Sequence, residues 1–173
     1  FTNQDLVNQF NKIQQLIKDL HEDCDILIAF DNSMTHHAKA PNGLDVKNLK
    51  LKPGMASTAN GIFMRDGWFI KDGIKVAQSM SFTNAAGVKD QRGAREILSE
   101  RGKSKKPGTQ HDLNMQCYPC KKKIPRVNPE DPDYSRSDYC CASYVLSQEP
   151  DFLGRKEWLT EVAEAVGFKI IFY

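Results

Sequence analysis

The chain has 173 residues, 40% apolar and 27% charged, with a net charge of +2, which is ordinary for a soluble globular domain with a real core. So small a charge does not by itself argue for nucleic acid; no apolar run approaches the roughly 18 residues that span a bilayer, and no signal peptide is visible. The chain opens on Phe1 rather than Met and stops on an apolar run, so both ends read as cut and the whole as a piece of something longer. Five cysteines (Cys24, Cys117, Cys120, Cys140 and Cys141) are an odd number without a secretory signal, which argues for a reducing compartment over a disulfide framework.

Leu6, Phe10, Ile13, Ile17 and Leu20 recur at helical spacing, predicting an amphipathic helix over residues 5–20, capped by Thr2 or Asn3. Cys24 is expected to pack as a small apolar group beside the strand that follows. That strand, residues 25–30, is an apolar run ending in Asp31-Asn32-Ser33 and reads as buried. A carboxylate at such a strand end has its backbone fixed by the sheet, where α/β proteins place reactive groups and metal ligands. The alternative is that Asp31 caps a short helix over residues 35–40.

Residues 44–59 read as irregular, with a turn at Pro53-Gly54. Residues 67–79 form the clearest hairpin, two β-rich runs around Asp72-Gly73, the pair that a type I′ turn favours. A short helix follows over residues 89–101, with Ala94, Ile97 and Leu98 on one face and Gly102 as its stop. Residues 101–126 are basic, and residues 127–138 read as a loop. A helix over 139–148 ends at Glu149-Pro150-Asp151, which caps the next element. Residues 155–166 form an amphipathic helix that turns Trp158, Leu159, Val162 and Val166 inward. Gly167 closes it and residues 168–173 form a second buried strand, expected parallel to the first because helix, glycine, strand is half of a βαβ crossover.

Three constellations bear on chemistry. Asp31 with His36 and His37 suits a metal or acid–base site in which at most one imidazole faces the carboxylate, against a surface helix start. Cys117-x-x-Cys120 precedes Cys140-Cys141 and gives a zinc knuckle signal: Cys117, Cys120, Cys140 and either Cys141 or His111 as ligands, against free thiols. The second half is unusual, because adjacent cysteines rarely both reach one ion. Lys103, Lys105, Lys106, Lys121, Lys122, Lys123 and Arg126 suit backbone phosphates, against a solvated loop. Trp68 and Phe69 suit base stacking or simple packing. No Walker glycine loop, nucleophile elbow or HExxH pair is present.

Taken in order, several short blocks resemble one family. Phe30-Asp31-Asn32-Ser33 with His36-His37-Ala38-Lys39-Ala40-Pro41 resembles the second-carboxylate segment of mariner-like DDE-superfamily transposases. A divergent group of DDE endonucleases, abundant in fungal genomes, is more similar still. Its blocks resemble Ala40 to Leu44, Met64 to Trp68, Glu100-Arg101-Gly102, Cys140-Cys141-Ala142 and Gln148 to Phe152 here.

The resemblance implies an α/β fold: a partial ribonuclease-H-like core in which residues 1–43 and 139–173 flank a long insertion, 44–138, with its hairpin (67–79) and its basic cysteine loop (101–138). It also implies two Mg2+ or Mn2+ ions held by three carboxylates for in-line attack on DNA phosphodiesters. Asp31 would be the second carboxylate. The first would precede residue 1 and the third would follow Tyr173; Glu157, Glu161 and Glu164 precede the final strand and do not fit. With one carboxylate of three, residues 1–173 are expected not to cleave DNA alone. DNA and a second transposase subunit are the implied partners and the nucleus the implied location, with no membrane and no small-molecule cofactor. The alternative is a non-catalytic, zinc-stabilised module that binds nucleic acid or protein, left from a degenerate or domesticated transposase.

Overall fold

A computed structural model describes residues 2–55, 61–106, 108–128, 131–135 and 137–173, with 128 and 131–135 described by backbone alone. In chain order the elements are α1 (Asn3–Leu20), β1 (Leu27–Phe30), a 3-10 turn (Val46–Asn48), β2 (Gly67–Lys71), β3 (Ile74–Gln78), β4 (Ser81–Thr83) and β5 (Lys89–Gln91). Then come α2 (Ala94–Glu100), α3 (Tyr118–Lys121), β6 (Val127–Asn128), β7 (Asp131–Ser135), α4 (Ala142–Ser147), α5 (Pro150–Leu153), α6 (Trp158–Ala165) and β8 (Lys169–Phe172). The mixed α/β chain divides into two compact units, one of Phe1–Ala40 with Arg155–Tyr173 and one of Pro41–Gly154. Among the described residues no helix is long and apolar enough to cross a membrane.

In the first unit, Thr2 and Asp5 form a reciprocal capping box at the start of α1, which satisfies two backbone donors that the helix itself leaves unpaired. Leu6, Val7 and Phe10 bury against Leu159, Ala163 and Phe168, and the Phe10 and Phe168 rings meet edge to face at 6.0 Å. Ile17 packs half-buried against the same cluster, whereas Ile13 and Leu20, expected on that face, are 48% and 67% exposed. The end of α6 is a Schellman motif: Gly167, at φ 83°, and Phe168 donate to the carbonyls of Glu164 and Ala163. That turn delivers β8 parallel to β1, with Leu27 opposite Lys169 and Phe30 opposite Phe172.

Both strands alternate between half-buried and exposed residues, so the expectation of strands buried throughout is corrected. The two strands have helices against one face, and Leu27 and Ile171 lie exposed on the other. Cys24 is likewise exposed rather than packed. Residues 34–37 form turns in place of the expected helix over 35–40.

Among the described residues the second unit holds three antiparallel strand pairs. In the first, Asp72 and Gly73 have φ of 50° and 79°, the two positive angles that a type I′ turn demands. The pairing of β4 with β5 puts Lys89–Gln91 in a strand, where the sequence reads as the start of a helix over 89–101; α2 begins only at Ala94. The pairing of β6 with β7 lies where it reads as a loop, although residues 129, 130 and 136 fall outside the described residues, as do 56–59 of the irregular stretch. Met80, Ala94, Ile97, Leu98, Ala142 and Leu146 are at most 1% exposed and lie in one cluster with Leu44, Met64, Val145 and Phe152. Helices α4 and α5 therefore belong to this unit.

A buried charge network ties the unit together. The Arg101 side chain is 1% exposed. Its Nη1 and Nη2 donate to the two oxygens of Asp151 at 2.8 Å each, Nη1 also donates to Glu149 at 3.0 Å, and Nε donates to Gln78 at 2.8 Å. The backbone N–H groups of Trp68 and Phe152 donate to the same Asp151 carboxylate, and Lys103 pairs with Glu149 at 2.6 Å. The Phe69 and Phe152 rings flank the guanidinium at 5.5 and 5.6 Å. Each guanidinium nitrogen and each of the two carboxylates has a partner, which is the condition for a buried ion pair to be tolerated.

Candidate metal centre

The cysteine knuckle is a single helical turn. Cys117 is the N-cap of α3 in extended conformation, with Pro119 in the first turn, where a missing N–H costs nothing. The turn closes through Lys121 and Lys122 N–H to the carbonyls of Cys117 and Tyr118, and the three-residue spacing puts the Cys117 and Cys120 side chains on one face. The other pair precedes α4. Cys140 lies in a bend and Cys141, extended at φ −162°, is the N-cap. The bend turns two adjacent side chains toward one point, which a straight strand would send apart. Two backbone bonds join the halves: Ala142 donates to Asn114 and Ser143 to Met115, both at 2.9 Å, which brings the start of α4 beside the segment leading into Cys117.

The four sulfurs all lie within 4.8 Å of one another. Cys120 and Cys140 are 3.6 Å apart, and Cys140 and Cys141 3.8 Å. These separations are far too long for a disulfide. They match the edge of about 3.8 Å that a tetrahedral ion with metal–sulfur bonds of about 2.3 Å requires. Three of the thiols are half-buried and Cys141 is fully buried. The cluster is able to coordinate a metal ion, and the donor set suits a soft or borderline one.

Protons are shared unevenly within it. Burial alone would raise Cys117, but the Cys120 backbone N–H and the three neighbouring thiols hydrogen-bond to its sulfur and hold it at about 7. Cys120 is pushed up to about 12, first by burial and then by Cys117 and Cys140. Cys141 is also raised, chiefly by burial. Four close sulfurs resist ionising together without a cation, so metal binding must release protons.

The fourth member of the cluster is Cys141 and not His111, which is exposed and carried on the 104–113 loop. The basic side chains are placed unevenly. Lys103 is paired with Glu149 and Lys105 donates to Gln110 at 2.7 Å, while Lys106 is exposed. Lys121, Lys122 and Lys123 are exposed on and just after the knuckle. Arg126 faces inward: Nη1 donates to Cys140 Sγ at 3.4 Å, Nη2 to the Ser137 carbonyl and to Asp138, and the guanidinium lies 3.7 Å from the Tyr144 ring centroid. Sequence reasoning groups Arg126 with the lysines because a one-dimensional charge run does not tell which cation turns in. Phe69 is a packing residue, 6% exposed, and the Trp68 ring is covered by Lys75 Nζ at 4.2 Å.

In the other unit, Asp31 follows the carboxyl end of β1 and is 64% exposed. His36 Nδ1 lies 2.7 Å from its Oδ1, and the Ser33 N–H reaches the same oxygen at 3.3 Å. His37 turns away, with Nε2 at Asn32, Nδ1 3.8 Å from Glu157 and its ring against Phe172. So one imidazole faces the carboxylate. Among the described residues the four thiols are the one group of three or more candidate metal ligands that converge. No family model matches the chain, and neither a curated protein nor a solved structure matches it.

Proposed function

We propose that residues 41–154 are a zinc-stabilised, non-catalytic module that binds nucleic acid. The observation that carries this reading is the convergence of four thiols within 4.8 Å, two from the knuckle and two from the start of α4. Zinc suits them best, being content with four thiolates in a closed tetrahedral site and needing no open position. Bound there, the ion is a four-point crosslink between the knuckle and α4; such sites in small peptides contribute apparent binding energies of about 10–16 kcal/mol near neutral pH. Nucleic acid is favoured as partner because residues 113–128 carry Lys121, Lys122 and Lys123 and no carboxylate, with the three lysines exposed on and just after the knuckle. Contacts of that kind follow the phosphate backbone and weaken steeply with salt. Native mass spectrometry of the purified chain tests the reading. One zinc per chain, lost on denaturation or chelation together with binding to a labelled DNA or RNA oligomer, is expected. A folded chain that binds no zinc contradicts it.

A second reading concerns the unit of Phe1–Ala40 and Arg155–Tyr173, and rests on Asp31 lying just past the carboxyl end of a strand in a parallel pair. On the resemblance to DDE transposases, Asp31 would supply one of three carboxylates for Mg2+ or Mn2+, in a nuclear enzyme acting on DNA as a dimer, the other two lying outside residues 1–173. Metal-dependent nicking by the full reading frame, abolished by Asp31→Ala, supports it; nicking that survives the substitution removes Asp31 from the chemistry.

A further inference from the structure

We infer that Arg126 is a positioning residue for the thiol cluster, compensating its charge and holding Cys140 in place for the ion. The inference rests on the metal reading above and adds to it a specific role for a side chain that is not a ligand. Four thiolates around a divalent cation leave two net negative charges in a half-buried site, and hydrogen bonds to the sulfurs are the usual way such charge is spread. Arg126 is placed for this. Its Nη1–H points at Cys140 Sγ, 3.4 Å away. Its other contacts fix it there: Nη2 donates to the Ser137 carbonyl, and the guanidinium lies over the ring of Tyr144, in the first turn of α4. The pairing with Asp138 at 3.3 Å does not consume the charge, because that carboxylate is 87% exposed and such pairs are weak in water.

The geometry also explains how two adjacent cysteines serve one site. Cys140 Sγ lies 3.6 Å from Cys120 and 3.8 Å from Cys141, so it joins the knuckle to the helix start. The bend that aims it there is residues 137–140, and Arg126 grips that bend at the Ser137 carbonyl and at the Cys140 sulfur at once. Lysine keeps the charge but has neither the fork nor the stacking plane. A N–H···S bond withdraws electron density from the sulfur it reaches, so losing Arg126 is expected to make the Cys140 thiolate more nucleophilic in the zinc-loaded chain.

The test compares zinc-loaded wild type with Arg126→Met and Arg126→Lys by chelator competition and by alkylation with N-ethylmaleimide, resolved cysteine by cysteine. Arg126→Met is expected to weaken zinc binding by about 10–100-fold, and Arg126→Lys by less. Alkylation of Cys140 should accelerate selectively over Cys117 in Arg126→Met. Zinc affinity within about twofold of wild type in Arg126→Met, where an outer-sphere role predicts at least tenfold, overturns the inference. So does equal acceleration at all four cysteines, the signature of a general loosening of the fold. Wild type that takes up no zinc overturns the metal reading and this inference with it; wild type that binds normally beside an unaffected Arg126→Met overturns this inference alone.

Discussion

Arg101→Met removes the cation from a network whose carboxylates cannot reach water. Asp151 and Glu149 side chains are 1% and 6% exposed, so the substitution strands two buried negative charges. Part of the loss is offset: Asp151 keeps the Trp68 and Phe152 N–H groups and Glu149 keeps Lys103. Breaking one side of a buried pair costs about 3–5 kcal/mol, and the retained donors place the expectation near the lower end of that range. With a urea m-value of about 2 kcal/mol/M, the midpoint falls by roughly 1.5–2 M. Trp68 lies beside the network, so its fluorescence in a Trp158→Phe background reports this unit alone, in zinc-containing buffer. Adding Asp151→Asn to Arg101→Met removes one stranded charge while an amide oxygen can still accept from Trp68, and should recover about 1 kcal/mol or more. A loss below about 1 kcal/mol for Arg101→Met, no larger than an ordinary surface ion pair, refutes the reasoning. So does a double substitution that is worse by the full cost of each change.

Cys141→Ser should weaken zinc binding by more than about 100-fold, beyond any outer-sphere effect, whereas His111→Ala should leave it unchanged; the reverse pattern in a chelator competition makes His111 the fourth ligand. At Gly67 an added Cβ would lie 2.4 Å from Asp151 Oδ2 and 2.6 Å from Met80 Cε, so Gly67→Ala is expected to cost about 1–3 kcal/mol, and an unaltered melting temperature would falsify the close approach. Glu157 accepts from Lys39 at 2.7 Å, and that bond holds its carboxyl below the ordinary value against the opposing effect of burial. A depressed folded value means stability present above the unfolded value and lost as pH falls through the folded one. Acidification below about pH 5 should therefore weaken the Trp158-reported transition by at most about 1 kcal/mol, since the pair is a quarter exposed, and Glu157→Gln should abolish that component.

What was legible in the sequence is what short-range physics dictates. Asp72-Gly73 fixes its own turn, Gly167 its own helix stop, and Ala94, Ile97 and Leu98 share a face because three and four residues make a turn. The CxxC spacing likewise announces its knuckle. The hairpin of β4 and β5 escaped because its strands are three residues long and polar, too short for alternation to register. The fourth thiol was ambiguous because the bend at Cys140 is set by Arg126, Ser137 and the tether to Asn114 and Met115, none of which is a local signal. Arg101 carried no mark of burial, since a lone arginine at a helix end reads as surface.

The blocks that resemble a transposase family meet one another in space, and what they do there is structural. Leu44 and Met64 lie in the core of the second unit. Asp66 accepts from Ser79 and from the Met80 N–H, Trp68 N–H donates to Asp151, and Gly67 allows that approach. Arg101 binds Asp151 and Glu149, and Ala142 is buried beside Leu146. The blocks that hold Trp68, Arg101 and Asp151 converge on one buried ion network and are constrained by it, and a chain can keep them whether or not it catalyses anything. The block around Asp31 belongs to the other unit, and the inference to phosphodiester chemistry hangs on that one carboxylate and its histidine. The scaffold and the chemistry are thus separable questions in this chain. The first is answered by unfolding the Arg101 variants and the second by the fate of nicking in Asp31→Ala, and neither result constrains the other.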